Sequence, residues 1–275
     1  MTLMSMVFAA VAFVYASVGH GGASGYLAVS ALLGQPTGSM ATGALLLNLL
    51  VAGTSWATFW RAEHGSWNLL VPFLIGSVPA AFIGGMLPVS AHIYRGLLGL
   101  TLFAAAFRLC VPAMQDADQP RPPSMRVAVP VGAGLGLISG IVGVGGGIFL
   151  SPLLLLFGWA DTKRTAATSA GFIVINSASG LLGRILGGQC AVGPMGQLAI
   201  AACIGGIIGS SLGAKRFSSV WLRRILAGVL VMAGWKMTTP AFGHAAGAAL
   251  TGAAAVLVCG AMAWSIARRP RYSHG

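Results

Sequence analysis

Two clusters of glycine are the residues in this chain best suited to chemistry: Gly19-His20-Gly21-Gly22-Ala23-Ser24-Gly25 and Gly143-Val144-Gly145-Gly146-Gly147. Glycine packed this densely breaks a helix, because it accepts backbone angles that other residues resist. The N–H groups at the start of the next helix then have no helical acceptor. Bare of side chains, they admit a small anion to the backbone, and the positive end of the helix dipole adds to the attraction. The same glycines also suit close helix packing. Two clusters in matching positions, each before a short apolar segment, favour a binding site over packing alone.

Polar side chains near the clusters extend this reading. His20 is the one histidine inside a cluster; it either packs, hydrogen-bonds an oxyanion or titrates during transport. Asn48 and Asn176 sit inside apolar segments, where an amide needs a partner, either a neighbouring helix or a substrate. Ser24, Thr168 and Ser169 offer hydroxyl donors, as do Ser17 and Ser139, although each such hydroxyl is often satisfied within its own helix. Arg184 falls at the end of a span, where it either attracts anions or anchors in headgroups, and anchoring is expected. The four acidic residues, Glu63, Asp116, Asp118 and Asp161, all fall in predicted loops. Cation carriers and proton pumps place carboxylates in the membrane, so their scarcity here favours an anion. Cys110, Cys190, Cys203 and Cys259 form no CxxC pair and give no zinc signature. No carboxylate pair and no nucleotide loop followed by Lys-Ser or Lys-Thr is present. The chain is therefore expected to have no catalytic residues, no metal and no cofactor, and not to be an enzyme.

The elements that must hold these residues are set by composition. Of 275 residues, 56% are hydrophobic and 7% charged. A soluble domain carries about a quarter charged residues. This chain has too little polar surface to be a soluble enzyme, a nucleic-acid-binding module or a disordered chain. Its net charge of +12 comes from basic residues at the ends of apolar runs, where they orient a membrane protein rather than grip nucleic acid. Long apolar segments fall at 2–18, 40–60, 67–87, 92–112, 127–142, 163–186, 194–214, 219–239 and 244–266. The first lacks a basic leader and a cleavage site and is read as a retained span. Two short segments, 23–34 and 147–158, follow the glycine clusters; about 12 residues make roughly 18 Å of helix, less than a hydrocarbon core of about 30 Å. Trp56, Trp60, Trp67 and Trp159 stand near segment ends, as in an interfacial belt, and His64, His92, His244 and His274 near loops.

An internal repeat organises the segments. Gly19 and Gly34 match Gly143 and Gly158, 124 positions on. From Gly43 the offset is 128, pairing Asn48 with Asn176, Gly85 with Gly213, Arg95 with Arg223 and Arg108 with Lys236. The expected architecture is an all-α polytopic membrane protein. It has two inverted repeats with glycine-broken helices, about nine full spans plus two short half-helices. The first repeat covers 1–114, a polar linker 115–126, the second repeat 127–240, and an extra span with a basic tail 241–275. If each short segment completes a crossing, each copy crosses five times and the copies are inverted. The loops then divide the 16 basic residues into 13 on one side and only Arg95, Arg184 and Lys236 on the other. The positive-inside rule puts the C-terminus in the cytoplasm.

The second cluster carries a resemblance. Val142-Gly143-Val144-Gly145-Gly146-Gly147-Ile148-Phe149-Leu150-Ser151-Pro152-Leu153-Leu154, followed by Ala167-Thr168-Ser169, is similar to the signature of the TauE/SafE sulfite exporter family, also called the toluene-sulfonate uptake permeases. The first copy departs from it: His20 enters, Ala23 replaces the last glycine, and Ala28 stands where the second copy has Pro152. The resemblance implies transport of sulfur-containing anions, such as sulfite, sulfonates, sulfoacetate or thiosulfate, across the bacterial inner membrane. The expected partners are the lipid bilayer and a small sulfur oxyanion or organosulfonate, with no nucleic acid and with a homodimer left open. The anion would lie against Gly19, His20, Gly21, Gly22, Ser24, Asn48, Gly143, Gly145, Gly146, Gly147, Thr168, Ser169 and Asn176. An anion channel, and a membrane-embedded enzyme or assembly subunit, are the alternatives.

Overall fold

In the computed structural model, residues 2–110, 120–189, 191, 198–213 and 220–267 are described. Among them the chain forms eleven helices: α1 (Thr2–Ala16), α2 (Ala23–Leu32), α3 (Thr37–Arg61), α4 (Trp67–Met86), α5 (Ala91–Cys110), α6 (Met125–Val142), α7 (Gly147–Leu156), α8 (Thr162–Leu186), α9 (Ala199–Gly213), α10 (Val220–Phe242) and α11 (His244–Ala267). No strand occurs among the described residues. Nine of these helices correspond to the nine long apolar segments and two to the short ones. Six helices are long and apolar enough to cross a membrane, whereas α1 and α9 are shorter. Residues 115–119 of the linker, Cys190, Lys215, Arg216 and the basic tail after Ala267 lie outside the described residues, as do the side chains of Arg223 and Arg224.

Each short helix turns back along the long helix before it. In the first hairpin Gly25 lies against Val11 and Tyr15, Tyr15 and Ser24 share a hydroxyl hydrogen bond of 2.6 Å, and Phe8 stacks on Tyr26 with centroids 5.0 Å apart. In the second, Ala128 and Leu154 join one apolar cluster, and Arg121 N–H donates to Gly158 C=O at 3.1 Å, tying the chain before α6 to the chain after α7. The glycine clusters are thus full reversals rather than kinks. Left-handed backbone at Gly19 and Gly22, and at Gly143, Gly145 and Gly146 (φ between 77° and 89°), makes the turns; such angles cost other L-residues roughly 1–2 kcal/mol each.

Glycine also sets how closely the helices meet. Gly132, Gly136 and Gly140 of α6 rest on the carbonyls of Phe73, Ser77 and Ala81 of α4, with Gly76 and Gly84 packing the other way. The four-residue spacing puts all of them on one face, and absent side chains let backbone meet backbone. The same device joins α9 to α1, where Gly205 and Gly209 rest on the carbonyls of Ala9 and Phe13. Each hairpin's long helix therefore packs in parallel on a helix of the other copy. The pairs α3 with α8 and α5 with α10 run antiparallel. Leu45 meets Gly180 while Trp56 meets Gly171, and Gly96 meets Phe242 while Gly99 meets Thr238.

This register defines two faces. Face A is where α3 begins and α8 ends, joined by a hydrogen bond from Thr42 Oγ1 to Gln189 C=O of 2.9 Å; face B is opposite. The first hairpin enters from face A and the second from face B. Trp56, Trp60 and Trp67 cluster near face B with ring centroids 4.7–6.2 Å apart. Arg184 departs from its expected place in the headgroups: it is 3% exposed, turned inward between helices.

Candidate functional site

The two reversals pass one another at the centre of the protein, and Asn48 of α3 lies between them. A side chain at Gly21 would strike Asn48 Oδ1, and one at Gly145 would come within 2.5 Å of Asn48 Nδ2. Asn48 Nδ2 donates to Val144 C=O at 3.2 Å. Beside Gly145 stand Ile173 and Ser177 of α8. Each tip also reaches past the centre to the other copy's helix. Gly19 rests on Ala166 of α8, and Gly143 on Ala41 of α3. No backbone acceptor meets the N–H groups of Gly21, Gly22, Gly145 or Gly146 among the described residues. The first turns of α2 and α7 begin there, so their positive ends face this centre.

His20 bridges the two hairpins. Its Nδ1 lies 2.9 Å from Val18 C=O, and its Nε2 lies 2.9 Å from Ser151 Oγ on α7. Ser151 Oγ is 2.7 Å from Ser169 Oγ on α8 and 3.0 Å from Gly147 C=O. A carbonyl only accepts, so Nδ1 carries a proton. In neutral histidine Nε2 then accepts from the Ser151 hydroxyl. In the imidazolium it donates, and the Ser151 hydroxyl swings to Ser169 or Gly147. The protonation state of His20 therefore fixes which way a buried hydroxyl points.

The carbonyl ends of α1 and α6, which oppose an anion, are occupied. Ser17 Oγ donates to Val14 C=O at 2.7 Å. At the second tip the donors come from other helices: Arg184 Nη2 to Ile141 C=O at 2.7 Å and Tyr94 OH to Val142 C=O at 3.2 Å. With those carbonyls satisfied, the amide ends of α2 and α7 dominate the field at the centre. Two buried polar atoms without a partner stand beside Gly21 and Gly145, Asn48 Oδ1 and Ser177 Oγ; Asn176 Oδ1 and Thr168 Oγ1 of α8 are likewise buried and unpartnered. Such atoms are expensive to bury unless a solute or water meets them. The described carboxylates stand at helix ends on face B: Asp161 caps α8 and pairs with Arg164 at 3.4 Å, and Glu63 follows α3.

Most of the residues expected from sequence gather here. Gly19, His20, Gly21, Asn48, Gly143, Gly145, Gly147 and Ser169 touch the tips or the bridge between them. Gly22 and Gly146 turn the chain but pack on the rings of Tyr26 and Phe172. Ser24 does not face the other tip; its hydroxyl is bonded to Tyr15 within the first hairpin. Thr168 is fully buried on α8. Asn176 donates to Phe172 C=O of its own helix at 3.0 Å, leaving Oδ1 open. Ser151, one turn after Gly147, and Ser177, beside Asn176, belong to the site and were signalled by those neighbours. Tyr94 carries no such signal, and Arg184 is marked in the sequence only by its place at the end of a span. A separate groove of about 1090 Å³ between α5, α7 and α11 is walled almost wholly by apolar side chains, and the reversals do not line it.

Comparison with known proteins gives the family. The model of the sulfite exporter TauE/SafE family matches residues 4–237. A probable membrane transporter protein of Sinorhizobium fredii is 34% identical over 238 residues, covering 85% of this chain and 96% of that one. A probable membrane transporter protein of Methanocaldococcus jannaschii is 27% identical over 125 residues, 44% of this chain and 46% of that one. No solved structure matches.

Proposed function

We propose, from the premise that this chain belongs to the sulfite exporter TauE/SafE family, that it is a secondary transporter of small sulfur-containing anions such as sulfite, sulfonates or thiosulfate. The observation that carries this reading is the placement of Asn48 against glycines of both reversals, Gly21 and Gly145. One buried amide thus senses two tips that enter from opposite faces. The anion binds between them, held by the amide ends of α2 and α7, by the Ser177 and Thr168 hydroxyls, and by His20 when protonated. The tips are packed too closely to hold a solute as they stand, so binding requires them to part. Rocking of one copy against the other then exposes the site to each face in turn.

The antiparallel runs of α3 with α8 and of α5 with α10, which are equivalent helices under the 128-residue offset, support inverted repeats. The described basic residues support an orientation. Arg61, Arg108, Arg121, Arg126, Lys163 and Arg164 gather towards face B, against Arg95, Arg184 and Lys236 towards face A. The positive-inside rule then places face B in the cytoplasm of a bacterial inner-membrane protein.

The test is uptake of sulfite and of methanesulfonate by the purified protein in liposomes. Saturable uptake with counterflow is expected, and Gly146→Leu, which drives a side chain into the Phe172 ring at a left-handed position, is expected to abolish it. Saturation without counterflow, together with unitary currents, would make the protein an anion channel instead. No uptake and no saturable binding of either anion would overturn the reading.

A further inference from the structure

Arg184 is a buried cation that the central site does not use. It is 3% exposed, yet its acceptors are neutral: Nη2 meets Ile141 C=O at 2.7 Å and Nη1 meets Gln189 Oε1 at 3.1 Å. Its Nε is buried and has no acceptor. The described carboxylates, Glu63 and Asp161, are both at face B, the other end of the helices. The carbonyl end of α6 offsets part of the charge. A guanidinium within a membrane protein still costs heavily without an anionic partner, and its planar donors match oxyanions well.

Gln189 closes this group off at face A. Its side-chain amide donates to the carbonyls of Gly85, Met86 and Leu87 at 3.3–3.4 Å, long for such bonds. Its backbone ties α3 to α8, taking the Thr42 hydroxyl at 2.9 Å and donating to Arg184 C=O at 2.7 Å. Gly187 and Gly188 just before it are exposed. Gln189 is therefore a neutral cover, weakly held by its side chain, with an amide oxygen where a charged oxygen would bind more strongly.

We propose that Arg184 is a receiving station for the transported anion at the face A mouth, and that Gln189 is the cover that keeps its place. An arriving oxyanion displaces Gln189 Oε1 from the guanidinium, loosens the amide from the end of α4, and stands at the rim of the second reversal, whose Ile141 carbonyl the same guanidinium holds. This inference rests on the transport reading above and adds a second position for the anion, nearer the surface than the paired glycines.

The experiment compares sulfite and methanesulfonate uptake by wild type, Gln189→Glu, Gln189→Ala and Arg184→Gln in liposomes, with thermal unfolding of each in detergent. Gln189→Glu supplies a tethered carboxylate. Uptake is expected to fall about tenfold or more while the unfolding temperature holds or rises, because a charged pair replaces a neutral one. Gln189→Ala uncovers the arginine and is expected to lower the apparent KM about threefold or more. Arg184→Gln is expected to remove uptake. A purely structural cap predicts the reverse for Gln189→Ala, a raised KM or a lost fold. Wild-type uptake by Gln189→Glu, or a raised KM in Gln189→Ala, overturns the station while leaving the transporter reading intact. Absence of uptake by the wild type overturns both.

Discussion

The two reversals solve the same problem with different residues. At the first tip, local side chains satisfy the carbonyls: Ser17 bonds Val14 and His20 approaches Val18. At the second tip, the carbonyls of Ile141, Val142 and Val144 depend on Arg184, Tyr94 and Asn48, each from a different helix. The first tip keeps its shape if its surroundings move. The second can move only if bonds to α3, α5 and α8 are broken or exchanged. The repeat has diverged accordingly: Val144 stands at the position of His20, and Trp56 at that of Arg184, by the offsets of the two copies. The first copy supplies a titratable side chain, and the second an adjustable socket tied to the rest of the molecule.

The sharpest way to break this comparison is to press both tips on Asn48. Gly21→Ala and Gly145→Ala each drive a methyl group into that side chain, so uptake is expected to be lost in both. Gly145 alone also has φ of +81°, so its alanine variant is expected to be less stable by about 1–2 kcal/mol more than the Gly21 variant. Thermal unfolding in detergent measures this. Equal destabilisation would mean that the tips are held alike.

A smaller effect is expected where the tips meet. His20→Ala removes the bridge to Ser151 and leaves a buried hydroxyl chain without its end. The coupling between His20→Ala and Ser151→Ala, read from a double-mutant cycle of unfolding free energies, is expected at about 0.5–1.5 kcal/mol. Additive effects of the two substitutions would show that the hairpins do not communicate here.

The smallest expected difference isolates local from borrowed capping. Ser17→Ala and Tyr94→Phe each delete one neutral hydrogen bond to a tip carbonyl, worth about 0.5–1.5 kcal/mol. Uptake per folded molecule should stay at the wild-type level in Ser17→Ala and change in Tyr94→Phe, whose donor spans two helices. A Ser17 variant impaired as much as the Tyr94 variant would remove the distinction between the tips.

How much of this could be read from the chain varies by residue. The apolar segments matched the helices within a few residues, because length and hydropathy alone govern the burial of main-chain polar groups in lipid. The glycine clusters marked both reversals, since few other residues accept successive left-handed angles. His20, Asn48 and Ser169 stand where the two reversals meet, and the sequence marks them because they sit in or beside those clusters or at matched repeat positions. The bond of Ser24 to Tyr15 is not legible in the chain, because Tyr15 becomes a neighbour only when the hairpin closes.

Sequence by itself therefore determined the all-helical membrane class of the protein and the places where the chain turns. These are local properties, fixed by hydropathy over some twenty residues or by the torsional freedom of a few. Tertiary structure alone decided that Arg184 faces Ile141, 43 residues away, and that Tyr94 faces Val142, 48 residues away. No periodicity carries those pairings. They follow from glycines that let helices approach to backbone contact, and so from the packing of the whole bundle.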